Sequence, residues 1–139
     1  MNGNDIVRVV LRSPLHVFMG DTMLITVTGR KTGRRISLPV NFYRDGLNLW
    51  VISSRNRTWW RNLVHGAVVT ILVHGRQFSG YGDAILDQET VAACLGDHVR
   101  HVPTFARYLG LRMENGVPNC DDVERFARER LFVRVCLET

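Results

Sequence analysis

The 139-residue chain has three cysteines, one lysine and no long apolar run, and each scarcity excludes something. Cys94, Cys120 and Cys136 are widely spaced and odd in number, which argues against a disulfide framework. No apolar stretch approaches the roughly 20 residues that a bilayer-spanning helix needs. The region from Ile6 to Phe18 is broken by Arg8, Arg12, Pro14 and His16, so it lacks a signal-peptide core and the cytoplasm is the expected compartment. There is no Gly-x-Ser-x-Gly elbow, no Walker pattern and no cysteine beside a glycine-rich turn. Gly80-Tyr81-Gly82 is too short for a dinucleotide fingerprint and reads as a bulge within a strand. Linkers, repeats and low-complexity tracts are missing too, so residues 1–139 are expected to form one domain.

What the chain does have is positive charge in its first half. Ten Arg/Lys between Arg8 and Arg61 face only Asp21 and Asp45, whereas eight arginines after that face ten carboxylates. The first half therefore calls for an anionic partner, and nucleic acid, an anionic membrane surface or a phosphorylated small molecule would each satisfy it. Nucleic acid is disfavoured because the arginines are spread over turns and loops rather than along one recognition helix. Peripheral membrane contact through Arg8 and Arg12 remains compatible, but the short apolar face beside them better suits packing on the protein. The charge concentrates at Thr28-Gly29-Arg30-Lys31-Thr32-Gly33-Arg34-Arg35, which joins two strand-like runs rich in β-branched residues. Gly29 and Gly33 let main-chain N–H groups converge there, as a phosphate or carboxylate cluster requires.

The predicted elements run in this order. A short helix spans about Asn4 to Arg12. Strands follow at Thr22–Thr28, Arg35–Tyr43 and Leu47–Ser53, the last two joined by an Arg44-Asp45-Gly46 turn. Thr58 caps a helix from Trp59 to about His65, closed by Gly66. Strands at Val68–Val73 and Gln77–Leu86 flank a His74-Gly75 turn. A helical insert near 88–128 contains Gln88–His101 capped by Asp87, Thr104–Leu111, a loop from Met113 to Asn119, and a helix from Asp121 to about Arg128. Leu131–Leu137 alternates as a closing strand. The fold class is mostly β with peripheral helices: a meander and one returning strand, about six antiparallel strands in a small barrel.

Few side chains suggest chemistry of their own. Trp59 and Trp60 point about 100° apart on a helix, so one packs inward and the other is free to stack on a ring or cover a pocket mouth. Cys94, His98 and His101 share a helix face, but no second ligand cluster joins them and no metal site is expected. Asp121, Asp122 and Glu124 read as the acidic first turn of a helix. Tyr43, Tyr81 and Tyr108 could each give a proton. No acid–base or nucleophile constellation is in view, and a reaction carried by a bound cofactor would need none.

The string from Leu24 to Gly33, with Pro39 six residues on and Tyr43-Arg44-Asp45-Gly46 after it, resembles the deazaflavin (F420)-dependent nitroreductase family. Trp59-Trp60-Arg61-Asn62-Leu63 is similar to that family's Trp-x-x-Asn-Leu helix, and Phe132 to Cys136 looks like its closing strand. The resemblance implies a split β-barrel of FMN-binding type and F420, an anionic deazaflavin, as cofactor. It places the phosphate at Arg30, Lys31, Thr32 and Gly33, the ring system along Pro39 and Val40, and further contacts at Ser54, Arg55, Trp59 and Asn62. It implies hydride transfer from the reduced deazaflavin to an electron-poor small molecule of quinone or nitro type. An FMN-binding oxidoreductase and a non-catalytic carrier of a flavin-like or lipid ligand are the alternatives, and a homodimer is compatible with either. The sequence departs from the family at Leu38, where a polar residue is usual, and in a short 53–58 loop without its proline.

Overall fold

The computed structural model describes residues 21–138. The expected helix from Asn4 to Arg12 lies outside them. In chain order the elements are β1 (Asp21–Thr28), β2 (Arg35–Asp45), β3 (Asn48–Ser54), a 3₁₀ helix (Trp59–Leu63), β4 (Ala67–Val73) and β5 (Arg76–Ile85). Then come α1 (Gln88–His101), α2 (Thr104–Tyr108), β6 (Met113–Glu114), β7 (Val117–Pro118), α3 (Cys120–Glu129) and β8 (Arg130–Leu137).

Period-two patterning builds the barrel. Met23, Ile25 and Val27 of β1, Leu38 and Phe42 of β2, and Leu49 and Val51 of β3 all point to one interior. Val69 and Ile71 of β4 and Leu131, Val133 and Val135 of β8 complete it. The strands close in the order β1-β2-β3-β8-β5-β4, with every neighbouring pair antiparallel. The returning strand thus inserts between β3 and β5. Trp50, Ile52 and Phe132, of opposite parity, face outward and form a second core with Val91, Leu95 and Val99 of α1, Phe105 of α2 and Phe126 of α3. Helix starts are fixed by side chains: Asp87 accepts from the Thr90 N–H at 2.9 Å, and Asn119 accepts from the Asp122 N–H at 3.1 Å.

Several local expectations are corrected. The Arg44–Gly46 turn falls at Gly46-Leu47 instead, because Asp45 still pairs with Asn48. The helix at Trp59 is only a 3₁₀ turn ending at Leu63, and Thr58 makes no side-chain cap. Gly80–Gly82 is no bulge, since the ladders to β4 and β8 both run through it unbroken. Glycine is needed there for space. A Cβ on Gly80 would stand 2.8 Å from Val135 Cγ1 and 2.9 Å from the Cys136 carbonyl oxygen, and one on Gly82 would stand 3.3 Å from Leu63. Leu63 plugs this end of the barrel from the 3₁₀ helix. The 113–119 loop is a small hairpin of β6 and β7. The second insert helix stops at Tyr108, and the third starts at Cys120 because Asn119, not Asp121, leads into it.

Candidate functional site

β2 and β3 share only three rungs: Tyr43 with Trp50, Arg44 with Leu49 and Asp45 with Asn48. Continuing that register would set Asn41 opposite Ile52 and Pro39 opposite Ser54. Instead the strands diverge. Residues 35–42 of β2 stay with β1, and the far end of β3 pairs with β8 alone. Pro39 has no N–H to donate, which suits a strand edge left without a partner. A cavity of about 320 Å³ fills the split, walled by Pro39, Val40 and Asn41 on one side and Ile52, Ser53 and Ser54 on the other. Trp59, Tyr108, Arg57 and Arg130 complete its lining.

The tryptophans hold one rim of this cavity. Trp59 Nε1 donates to Ser53 Oγ at 3.2 Å and Trp60 Nε1 donates to the Ser54 carbonyl oxygen at 3.2 Å. Both are buried, contrary to the expectation that one would be free. The tight 3₁₀ turn sends adjacent indoles to neighbouring acceptors at the end of β3, so each finds both cover and a hydrogen bond.

Asn62 ties that rim to the basic turn. Its Nδ2 donates to the Trp59 carbonyl at 3.0 Å, while its Oδ1 accepts from the Arg30 N–H at 3.0 Å. Within the turn the Gly29 N–H donates to the Arg34 carbonyl at 2.7 Å, and the Gly33 N–H to the Gly29 carbonyl at 2.9 Å. The Arg34 N–H donates to Thr32 Oγ1 at 3.2 Å. Gly33 sits at φ 71°, a left-handed conformation that closes the loop. Among the described residues the N–H groups of Lys31 and Thr32 have no acceptor, and the side chains of Arg30, Arg34 and Arg35 in and beside the turn are exposed. An anion at this turn would meet both amides and the cations together.

Of the residues singled out from the sequence, Pro39, Val40, Ser54 and Trp59 line one cavity, and Arg30 to Gly33 connect to its Trp59 wall through Asn62. Arg55 has another task. Its Nε and Nη2 donate to the carbonyls of Ala127, Arg130 and Leu86 at 2.7 to 3.1 Å, clamping β3 to the α3–β8 junction. Ser54 Oγ donates to Asn56 Oδ1 at 2.5 Å. Of the three tyrosines, Tyr108 reaches the cavity. Tyr43 packs edge-on against His98 and Phe105, and Tyr81 is half exposed beside Gly66 on the barrel exterior. Sequence reasoning did not place Asn41, Ile52, Ser53 or Arg130 in the site. Arg130 arrives through the Ser54–Arg130 rung of the β3–β8 ladder, which no local pattern announces.

Residues 8–114 match the family described as F420H(2)-dependent quinone reductase. The chain belongs to this family. Its members are reductases that use F420, in keeping with the resemblance to deazaflavin-dependent enzymes. No curated protein sequence matches the chain. Among solved structures, a conserved hypothetical protein from Mycobacterium tuberculosis matches with TM-score 0.55 and 16% identity, over 100% of this chain and 82% of the other. The FAD and heme binding protein from Mycobacterium smegmatis matches with TM-score 0.52 and 15% identity, over 84% and 60%. The general stress FMN/FAD binding protein from Xanthomonas citri gives 0.51 and 15%, over 85% and 75%. These likenesses show the split-barrel fold shared with flavin-binding proteins. No helix among the described residues is long and apolar enough to cross a membrane.

Proposed function

We propose that this family member binds F420 in the split between β2 and β3 and passes a hydride from its reduced form to a quinone-type acceptor. The observation that carries the reading is the coincidence of the β2–β3 split with a cavity lined by Pro39, Val40, Ser54 and Trp59, tied through Asn62 to a cationic turn. F420, when bound, supplies the two-electron chemistry. The chain supplies position, charge and shelter.

The residues present fit such a cofactor. A flat ring can enter between two strand edges, with Val40, Ile52 and Trp59 as apolar walls. The phosphate goes to Arg30, Lys31 and the N–H groups of Lys31 and Thr32, with Gly33 shaping the turn. Arg57 and Arg130 add positive charge at the cavity, where an anionic tail would run. Asn62 positions the turn, and Arg55 braces the far wall from behind. Tyr108 is the cavity tyrosine and the best-placed group to give the proton that quinone reduction consumes. Nitro compounds form a second acceptor class for the same cavity.

The test is a fluorescence titration of the purified protein with F420, with Lys31→Ala in parallel. Micromolar or tighter binding, weakened about tenfold by the substitution (about 1.4 kcal/mol), is the expected result. Binding of FMN with no binding of F420 would overturn the deazaflavin assignment and leave the cavity as a flavin site.

A further inference from the structure

The two ends of the barrel are built differently. At the end where β1 runs into the basic turn, Leu63 reaches in from the 3₁₀ helix and is fully buried. The opposite end is framed by the β2–β3 turn at Gly46-Leu47, the β4–β5 turn at His74-Gly75 and the last residues of β8. There a cavity of about 400 Å³ opens, larger than the one in the split. Its walls are the interior core itself: Phe42, Leu49, Ile71, Val73 and Leu137. Phe78 pairs with Ile71 across the β4–β5 ladder and so shares the inward parity, yet it stays 36% exposed. A ring at an inward position that water still reaches marks a core left open at this end.

The rim of that opening is cationic. Arg44 lies two residues beyond Phe42 on β2, and Arg76 two residues before Phe78 on β5, so strand alternation turns both toward the cavity they line. Arg44 Nε donates to the Gly46 carbonyl at 2.9 Å, which holds the guanidinium at the rim while its Nη groups stay unbonded among the described residues. The Arg76 side chain makes no hydrogen bond or ion pair among the described residues. His74 lines the same rim. Of the carboxylates nearby, Asp45 lines a separate cavity with His98 on the outer face, and Glu138 follows Leu137 with the outward parity. Asp21 opens β1 opposite Phe42, so the rim sets two arginines against one acidic position.

An apolar chamber behind a cationic rim selects for both properties at once. A small bare anion would leave the walls wet, and an uncharged hydrocarbon would make no use of the arginines. An aliphatic carboxylate uses both, because its chain displaces water from Phe42, Ile71 and Phe78 and its two oxygens match the fork of a guanidinium. The volume falls in the ordinary range of small-molecule pockets, about 300–1,000 Å³.

We propose that this open end of the barrel, remote from the basic turn, binds an aliphatic carboxylate with its chain inward and its carboxylate at Arg44 and Arg76.

The test adds decanoate to the full chain and follows, by NMR, the backbone amides of Gly46 and Gly75 in the two turns of the rim. Both should shift in a saturable way. The indole N–H groups of Trp59 and Trp60, bonded to Ser53 and Ser54 at the split, should stay in place and report an intact fold. Acetate, lacking the chain, and decanol, lacking the charge, should each bind at least about tenfold more weakly. Arg76→Gln should weaken decanoate about tenfold with the indoles unmoved, and Arg76→Glu should weaken it further. Gly46 and Gly75 amides that do not respond to decanoate would overturn the proposal. Decanol binding as tightly as decanoate, or binding undiminished in Arg76→Glu, would overturn the assigned carboxylate chemistry. Shifts confined to Trp59 and Trp60 would overturn the site and place the ligand in the split instead.

Discussion

Asn62 shows how one side chain can govern a site it does not line. Its amide oxygen holds the Arg30 N–H and its amide nitrogen holds the Trp59 carbonyl, so the basic turn and the cavity rim move as one piece. Asn62→Ala would release both groups. The Arg30 N–H and Trp59 carbonyl are near enough to the surface to be rehydrated, so the stability cost should be about 1–1.5 kcal/mol, read as a lower denaturation midpoint with unchanged m. F420 affinity should fall by more than that loss of stability implies, because the turn is no longer held against the cavity. Asn62→Asp keeps the acceptor for Arg30 but loses the donor to the Trp59 carbonyl and sets a negative charge beside the basic turn, so it should not restore the affinity. Equal affinity in wild type and Asn62→Ala would show that the turn is ordered by its own Gly29–Arg34 and Gly33–Gly29 bonds alone. Gly80 and Gly82 teach a related lesson at the same scale. Their meaning lies in what packs on them, Val135, the Cys136 carbonyl and Leu63, and not in a local backbone pattern.

The elements were legible where local chemistry decides them. α1 begins and ends as expected because Asp87 caps it and because Val91, Leu95, His98 and Val99 recur with helical spacing on its buried side. The barrel strands were legible because β-branched residues alternate along them. The 3₁₀ helix was not, since its tight winding follows from two indoles seeking acceptors at the end of β3, a tertiary demand. The clamp at Arg55 was equally hidden, because its partners lie 31 to 75 residues away. Arg55→Met should cost about 1.5–3 kcal/mol through the carbonyls of Leu86, Ala127 and Arg130 that it leaves without a cation, measured by chemical denaturation. α3 carries a pH dependence. Buried Asp122 accepts from the Arg112 side chain and backbone N–H, which hold its carboxyl below the ordinary value of 3.8, and Arg125 adds to the effect. A depressed carboxyl stabilises the fold above its unfolded-state value, and that contribution is lost as pH falls from there through the lowered folded-state value. Thermal midpoints of wild type and Asp122→Asn should therefore differ at neutral pH and converge below about pH 4. A constant gap down to pH 2 would mean that the hydrogen-bond geometry, not the charge, is what matters.

At the scale of the molecule, the site exists because the barrel fails to close in one place. Three β2–β3 rungs hold the lower part together, and above them the missing rungs become a cleft. The sequence marks the basic turn, Pro39 and the tryptophan helix as belonging together, but the cleft itself depends on β3 leaving β2 and continuing with β8, which is visible only in three dimensions. Charge follows the same geometry. The positive first half contributes the turn and Arg57, and the acidic second half returns Arg130 to the same cavity. An anionic cofactor approaching this face should be steered by the field of these cations. Raising monovalent salt from about 0.1 to 1 M shortens the screening length from about 10 to about 3 Å, so stopped-flow association with F420 should slow by about tenfold or more. Dissociation should change less, because ring contacts within the cleft are screened little. Lys31→Ala should flatten the salt dependence as well as weaken binding, since it removes one of the steering charges. An association rate indifferent to salt would mean that apolar contacts in the split, and not the cationic turn, select the ligand.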